Sequence, residues 1–450
     1  MHGATLSRWT MSWLGAAIVL LVAAEALFAL GFADPVSAPR GAETLAVVHL
    51  VTAGWLGLLT IGSALQFVPV LAAGRLRAAA ASLPSLILAL LGDLALVGGF
   101  VALGRGAAAA PHLLAGGAAL LVAGYGGGGM MLGLTLRAAR PLAAVPRLVG
   151  LGLVGLAATL VLGAGLASGL AGLLPPDPAG RVADLLPFHI VFGLGGWLTA
   201  TALAVSYRLL PMFLLAAEPS VGPKRLLRLA IAAFALVGLA LAAVAVGFDA
   251  RLAAGASATA AAAAIAVHGR DLAAIVRGRR RRDMEASGRA SLLAVLTLWA
   301  AVALGLGAVL LGETSRVVPT VVHLAGFGWL SGLGLAQLGK IVPFLTWLEY
   351  FGPVMGRRPT PRTQDLLPSR RLEPWYVVFH AGVWIGAAAL LAEAPALYRF
   401  GALMQGVAVA ALLVVFARTR RLAGVAAEHL RDGVDRPRLF VATIEPGSKR

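Results

Sequence analysis

A His, a Trp six or eight residues later and a Pro fourteen after the Trp recur three times along this chain, as His49–Trp55–Pro69, His189–Trp197–Pro211 and His323–Trp329–Pro343. With nine Trp, 24 Pro and eight His among 450 residues, composition alone makes even one such triple a rare coincidence. The three Trp stand 142 and 132 residues apart, so the chain reads as three related blocks, each with one His-bearing helix. A chain so divided is expected to repeat one arrangement of helices three times about a common axis.

The blocks are apolar throughout. Hydrophobic residues make up 59% of the chain and charged ones 13%, the mean hydropathy is +0.88, and many apolar runs exceed the length that crosses a bilayer core of about 30 Å. The first run follows Arg8, is too long for a cleaved signal and is soon followed by another, so it reads as a retained span. Absence of cysteine excludes disulfides, thiolate metal sites and a cysteine nucleophile. Charged and Pro/Gly-rich breaks divide the chain into twelve spans near 10–33, 43–72, 82–104, 110–136, 147–174, 186–214, 225–248, 251–270, 288–312, 317–347, 374–393 and 397–417, with a tail over 418–450. The whole of 1–450 is one membrane domain, all-α, whose motif helices are numbers two, six and ten. That spacing implies three four-helix arcs in pseudo-threefold array rather than two six-helix halves.

Charge sets the orientation. The loops after even-numbered spans carry clusters such as Arg75/Arg77, Lys224/Arg225/Arg228 and the run Arg277–Arg289, whereas each loop after an odd-numbered span carries a single Arg. The positive-inside rule then puts both termini in the cytoplasm, for a multi-pass protein of the cell inner membrane. The net charge of +17 therefore belongs to topology and anionic-lipid contact and does not mark a nucleic-acid binder.

His49, His189 and His323 fall one or two turns from the outer ends of their spans. Ionisable groups at such depth are costly and face the bundle interior, where a neutral imidazole ligates haem iron, ligates copper, or bonds a backbone carbonyl. Three equivalent positions favour convergence on a common site, with His112 close enough in depth to join; interhelical support of the fold stays open beside it. Small residues beside Trp55, Trp197 and Trp329 admit a planar group or a neighbouring helix. Gln66, Arg208 and Lys340, three residues before each Pro, are expected to snorkel to the headgroups, and the Pro residues to kink or end their helices. Glu25 and Asp93 are buried acids by position, open to proton transfer or to a bond with a neighbouring helix. His380, His268 and His429 read as structural or solvated, and the Gly126–Gly129 run as close helix packing.

Twelve spans in three arcs, with histidines near the outer ends of the second, sixth and tenth, resemble the catalytic subunit of the haem-copper oxidase and nitric oxide reductase superfamily over about residues 10–420. The resemblance implies a subunit I-like scaffold in which His49 and His323 are axial ligands of a low-spin haem b, flanked by Trp55 and Trp329, and His189 is a metal ligand. It also implies a redox partner in the respiratory chain. The pattern departs from the family at the binuclear centre. The seventh span has no His, Val321 and Ala325 flank His323 where the family has His-x-His, and Gly193 stands where helix six carries Tyr. The ligand set is thus incomplete for oxygen or nitric oxide reduction, and the chain is expected not to be an enzyme of that kind. A divergent member binding one bis-His haem for electron transfer, sensing or haem handling is one expectation. A non-haem transporter or assembly factor for copper or a small solute, with histidines lining an outer-facing cavity, is the other.

Overall fold

A computed structural model of the chain describes residues 2–139, 141–175, 182–280, 283–311, 314–430 and 434–439. The Arg281–Arg282 part of the basic run, and residues 431–433 and 440–450 of the tail, lie outside the described residues. Among the described residues the fold is all-helical, with twelve helices long and apolar enough to cross a membrane. They are α1 (Trp9–Ala29), α2 (Ala42–Leu71), α3 (Ala79–Gly104), α4 (Ala110–Ala138), α5 (Ala144–Leu170), α6 (Leu186–Leu214), α7 (Gly222–Ala245), α8 (Arg251–Arg277), α9 (Ala286–Ala308), α10 (Val317–Tyr350), α11 (Glu373–Leu391) and α12 (Pro395–Arg420).

Local chemistry punctuates these helices. Proline occupies the first turn of α4, α7, α11 and α12, where its missing N–H costs nothing. Gly31, Gly106, Gly172 and Gly247, at φ between +63° and +82°, follow α1, α3, α5 and α7 and close their last carbonyls with left-handed caps. The Pro of each repeated unit neither ends nor replaces its helix. Pro69, Pro211 and Pro343 sit inside continuous helix, and α10 runs on to Tyr350.

Sequential helices form hairpins, α3 with α4, α7 with α8 and α11 with α12, while α12 packs back on α1 to close the ring. The α3–α4 hairpin shows how glycine permits this. A Cβ on Gly92 would stand 2.6 Å from the Leu121 amide nitrogen, and one on Gly117 2.5 Å from that of Leu96. The two backbones therefore touch directly, the packing that small residues allow in lipid. Three four-helix arcs result, α11–α12–α1–α2, α3–α6 and α7–α10, with α10 touching both α2 and α6 at the centre. Burial agrees with that plan for α2 and α10, 67% of whose apolar windows are buried against 17% in α7 and α8, whereas α6 at 44% is less buried than α1 at 56%.

Candidate functional site at the three central helices

Each central helix changes its winding just past its histidine. Leu50–Gly57 in α2, Val191–Thr199 in α6 and Leu324–Ser331 in α10 are π-helical, and each contains the Trp of the repeated unit. π-Helix is rare and concentrates at functional sites, so three copies at equivalent positions are one feature repeated. The local sequences LVTAGWLG, VFGLGGWLT and LAGFGWLS supply Gly where the backbone must widen. The Pro of each unit lies well beyond the π turn in every copy.

The π segments tie the arcs together through the tryptophans. Trp55, fully buried, donates its indole N–H to Ser331 Oγ of α10 at 2.9 Å, and Trp329, also fully buried, donates to Thr199 Oγ1 of α6 at 3.1 Å. Ser331 and Thr199 each stand two residues after the Trp of their own unit. The corresponding position in α2 is Gly57, which offers no hydroxyl. There Tyr125 of α4 enters instead. Its ring meets Trp197 edge-on at 5.5 Å, its hydroxyl donates to the Ala53 carbonyl, and its oxygen lies 2.5 Å from where a Gly57 Cβ would be. The tryptophans thus serve a cyclic set of interarc bonds with its third link rebuilt by Tyr125.

The histidines leave that centre in different directions. His49, half-buried, bonds the Leu45 carbonyl of its own helix through Nδ1 at 2.8 Å and stacks on Phe100 of α3 at 5.0 Å. His189, also half-buried, bonds the Thr159 carbonyl of α5 through Nδ1 at 3.1 Å, with Gly163 opening the space for its ring. In both, the carbonyl fixes the tautomer with hydrogen on Nδ1 and leaves Nε2 as a lone-pair donor, the orientation typical of a ligating imidazole. His323 is turned toward α11. Its Nε2 bonds the Val383 carbonyl at 3.0 Å, its ring packs on Phe327 and on Tyr398 of α12, and Gly386 makes room for it. Its Nδ1 is buried without a partner.

Equivalent sequence positions therefore do not give one convergent site. His49 packs on Phe100 of α3, His189 bonds α5 and His323 bonds α11. Among the described residues no three His, Asp or Glu side chains are gathered to hold a metal ion. His112 is exposed at the start of α4 and joins nothing. Of the residues before each Pro, Arg208 is half-exposed and paired with Glu218. Lys340 pairs with Glu285 and lies over the Phe213 ring at 5.5 Å, and Gln66 keeps its Nε2 buried without a partner. Both acids are buried as expected. Glu25 and Asp93 are 1% and 0% exposed, with no hydrogen-bond partner on any of their four carboxyl oxygens. Asp93 faces Gly54 of the α2 π segment.

Sequence reasoning missed the π segments, the Trp links and a polar pairing of α6 with α8, where Ser206 meets His268 at 2.7 Å and Tyr207 donates to Asp271 at 2.8 Å. The triplets Trp-Leu-Gly, Trp-Leu-Thr and Trp-Leu-Ser carried the signal for the Trp links. His268 is 2% exposed, so of the structural and solvated readings only the structural one stands.

No protein-family model matches this chain, and no curated protein matches it in sequence. Among solved structures the chain is similar to a haem-copper terminal oxidase determined as a dimer by cryo-electron microscopy. The TM-score is 0.59 at 12% sequence identity, over 98% of this chain and 86% of that one. At that identity the likeness is one of fold alone.

Proposed function

We propose that this chain is a subunit I-like inner-membrane protein, with cytoplasmic termini, that handles a metal ion through His49 and His189 and has no binuclear oxygen-reducing centre. The observation that carries the proposal is the matched state of the two imidazoles. Each is anchored through Nδ1 to a backbone carbonyl, which leaves its Nε2 lone pair for a ligand. Two neutral imidazoles are a donor set for a soft or borderline ion, and copper is the ion that the scaffold's chemistry favours. Such an ion would supply Lewis acidity or one-electron redox chemistry. The protein's own part is to fix the ring tautomers through Leu45 and Thr159 and to keep the surroundings apolar with Phe100. The loss of the oxidase ligand set follows from α7 having no His and α10 having only one. The role is then metal handling, as in a transporter or assembly factor, beside a respiratory-chain partner.

The axial haem pair His49 and His323 does not fit this packing. The Nε2 of His323 is committed to the Val383 carbonyl, Phe327 and Tyr398 flank its ring, and His49 lies against α3 rather than toward α11. Trp55 and Trp329, expected at a haem edge, are instead bonded across the central seam.

Purified protein, titrated with Cu(I) against a chromophoric chelator and scanned for a haem absorption band, tests the assignment. One copper per chain, lost in His49→Ala and in His189→Ala but kept in His323→Ala, is the expected result. A wild-type protein that takes no copper overturns it, as does a bis-His haem spectrum abolished by His323→Ala.

A further inference from the structure

The first turns of α5 and α7 enclose a cleft of about 420 Å³. Arg147, Lys224 and Arg228 line it together with Leu142, Leu227 and Ile231, and no acidic side chain does. All three cations are exposed, and among the described residues none has a hydrogen-bond or ion-pair partner. Elsewhere Arg208 is paired with Glu218, Arg289 with Glu373 and Lys340 with Glu285.

The placement of these charges is unfavourable unless something anionic joins them. Arg147 and Lys224 stand within the first four residues of their helices, and Arg228 one turn farther along α7. A helix N-terminus carries partial positive charge and unpaired N–H groups, so it disfavours cations and favours anions. Neither helix has an acidic residue in its first turn to offset this. A phosphate seated in the cleft would meet three side-chain cations at once. The apolar wall of Leu227 and Ile231 continues along α7, a helix of which only 17% of the apolar window is covered by protein. That combination of a cationic mouth at the membrane edge and an apolar flank open to lipid matches a headgroup and its acyl chains.

We infer that this cleft is a binding site for one anionic phospholipid, its phosphate held by Arg147, Lys224 and Arg228 and an acyl chain lying along α7. The site is on the face bearing the basic loops after the even-numbered helices, so its occupant comes from the leaflet on that side. It is independent of the histidine pair, from which α5 separates it along its length.

Native mass spectrometry of the purified full chain, mixed with phosphatidylglycerol or with phosphatidylcholine of the same acyl chains, reads the preference directly. Phosphatidylglycerol is expected to bind at about tenfold lower concentration, and Arg228→Ala to weaken it about fivefold, the effect of one basic side chain near an anionic headgroup. The variant Arg147→Ala/Lys224→Ala/Arg228→Ala should bind the two lipids alike. Arg357→Ala/Arg358→Ala, exposed cations of another basic loop, should keep the wild-type preference and shows that net charge alone is not read. A preference that survives the triple variant, or one lost equally in the control, overturns the assignment. So does glycerol phosphate displacing the lipid at comparable concentration, since that would make the cleft a site for a free phosphate ester.

Discussion

Removing one hydroxyl from the central seam should show whether the tryptophans bond the arcs together. In Ser331→Ala the deleted Oγ has two partners. It accepts from Trp55 Nε1 at 2.9 Å and donates to the Gly326 carbonyl at 2.8 Å, and both Trp55 and Ser331 are 0% exposed. No water reaches either orphaned group. Stranding a buried donor costs about 1–3 kcal/mol in proteins generally, while interhelical bonds in membranes average about 0.6 kcal/mol. Ser331→Ala is therefore expected to destabilise by about 1–2 kcal/mol. Trp55→Phe strands only an acceptor but also loses ring volume in a closed core. Combining the two changes removes donor and acceptor together, so the double variant should be less destabilised than the sum by about 1 kcal/mol. The assay is equilibrium unfolding in mixed micelles, with all four proteins compared at one detergent fraction. Coupling below about 0.3 kcal/mol would refute the bond, and with it the account of why Trp recurs at that position.

Single contacts carry the other expectations. Gly155→Leu should prevent α5 from docking on α6 and abolish stable folding, because even a Cβ there would lie 2.6 Å from the Gly196 carbonyl carbon; size-exclusion chromatography of the solubilised protein checks it. Glu349→Ala removes a buried carboxylate from Arg420, which still bonds the Arg438 carbonyl, and should cost about 1–3 kcal/mol in the same unfolding assay. In the α1–α2 loop, partial desolvation of Asp34 is outweighed by bonds from the amides of Ser37 and Val36, which with Arg399 hold its carboxyl below the usual range. A depressed carboxylate stabilises the loop above its unfolded value and ceases to do so as pH falls through the lower folded value. Protection of the Val36 and Ser37 amides, measured against the intrinsic exchange rate at each pH, should accordingly fall on acidification, and not in Asp34→Asn.

The spans are legible because length and hydropathy report a bilayer crossing without any knowledge of neighbours. The second is expected at 43–72 and occupies Ala42–Leu71; the twelfth is expected at 397–417 and occupies Pro395–Arg420. Helix faces are much less legible. In water an apolar stripe points to the core, but a membrane helix is apolar on every side, so Leu59 of the seam and the exposed Leu91 of α3 look alike in sequence. Polar residues mark the interior, and that inference succeeds for Glu25, Asp93 and His323, all buried. It cannot give direction.

Direction is lost at the π segments, and the loss has a definite size. One residue inserted into a helix turns everything after it by about 100°, enough to move a side chain from one neighbouring helix to the next. Counting turns from His49 to Trp55 on an α-helix therefore misassigns which helix each one meets. In the structure the Trp ends face the centre and the His ends face outward, so the repeated unit is two devices in series. The first is a seam that holds three arcs together, with Tyr125 supplying the link that Gly57 cannot. The second is an imidazole aimed into each arc's neighbourhood, free to diverge once the seam is secure. That division fits a unit whose Trp-to-Pro spacing is constant while its histidines stand six or eight residues before the Trp and meet different partners: α3 for His49, α5 for His189 and α11 for His323.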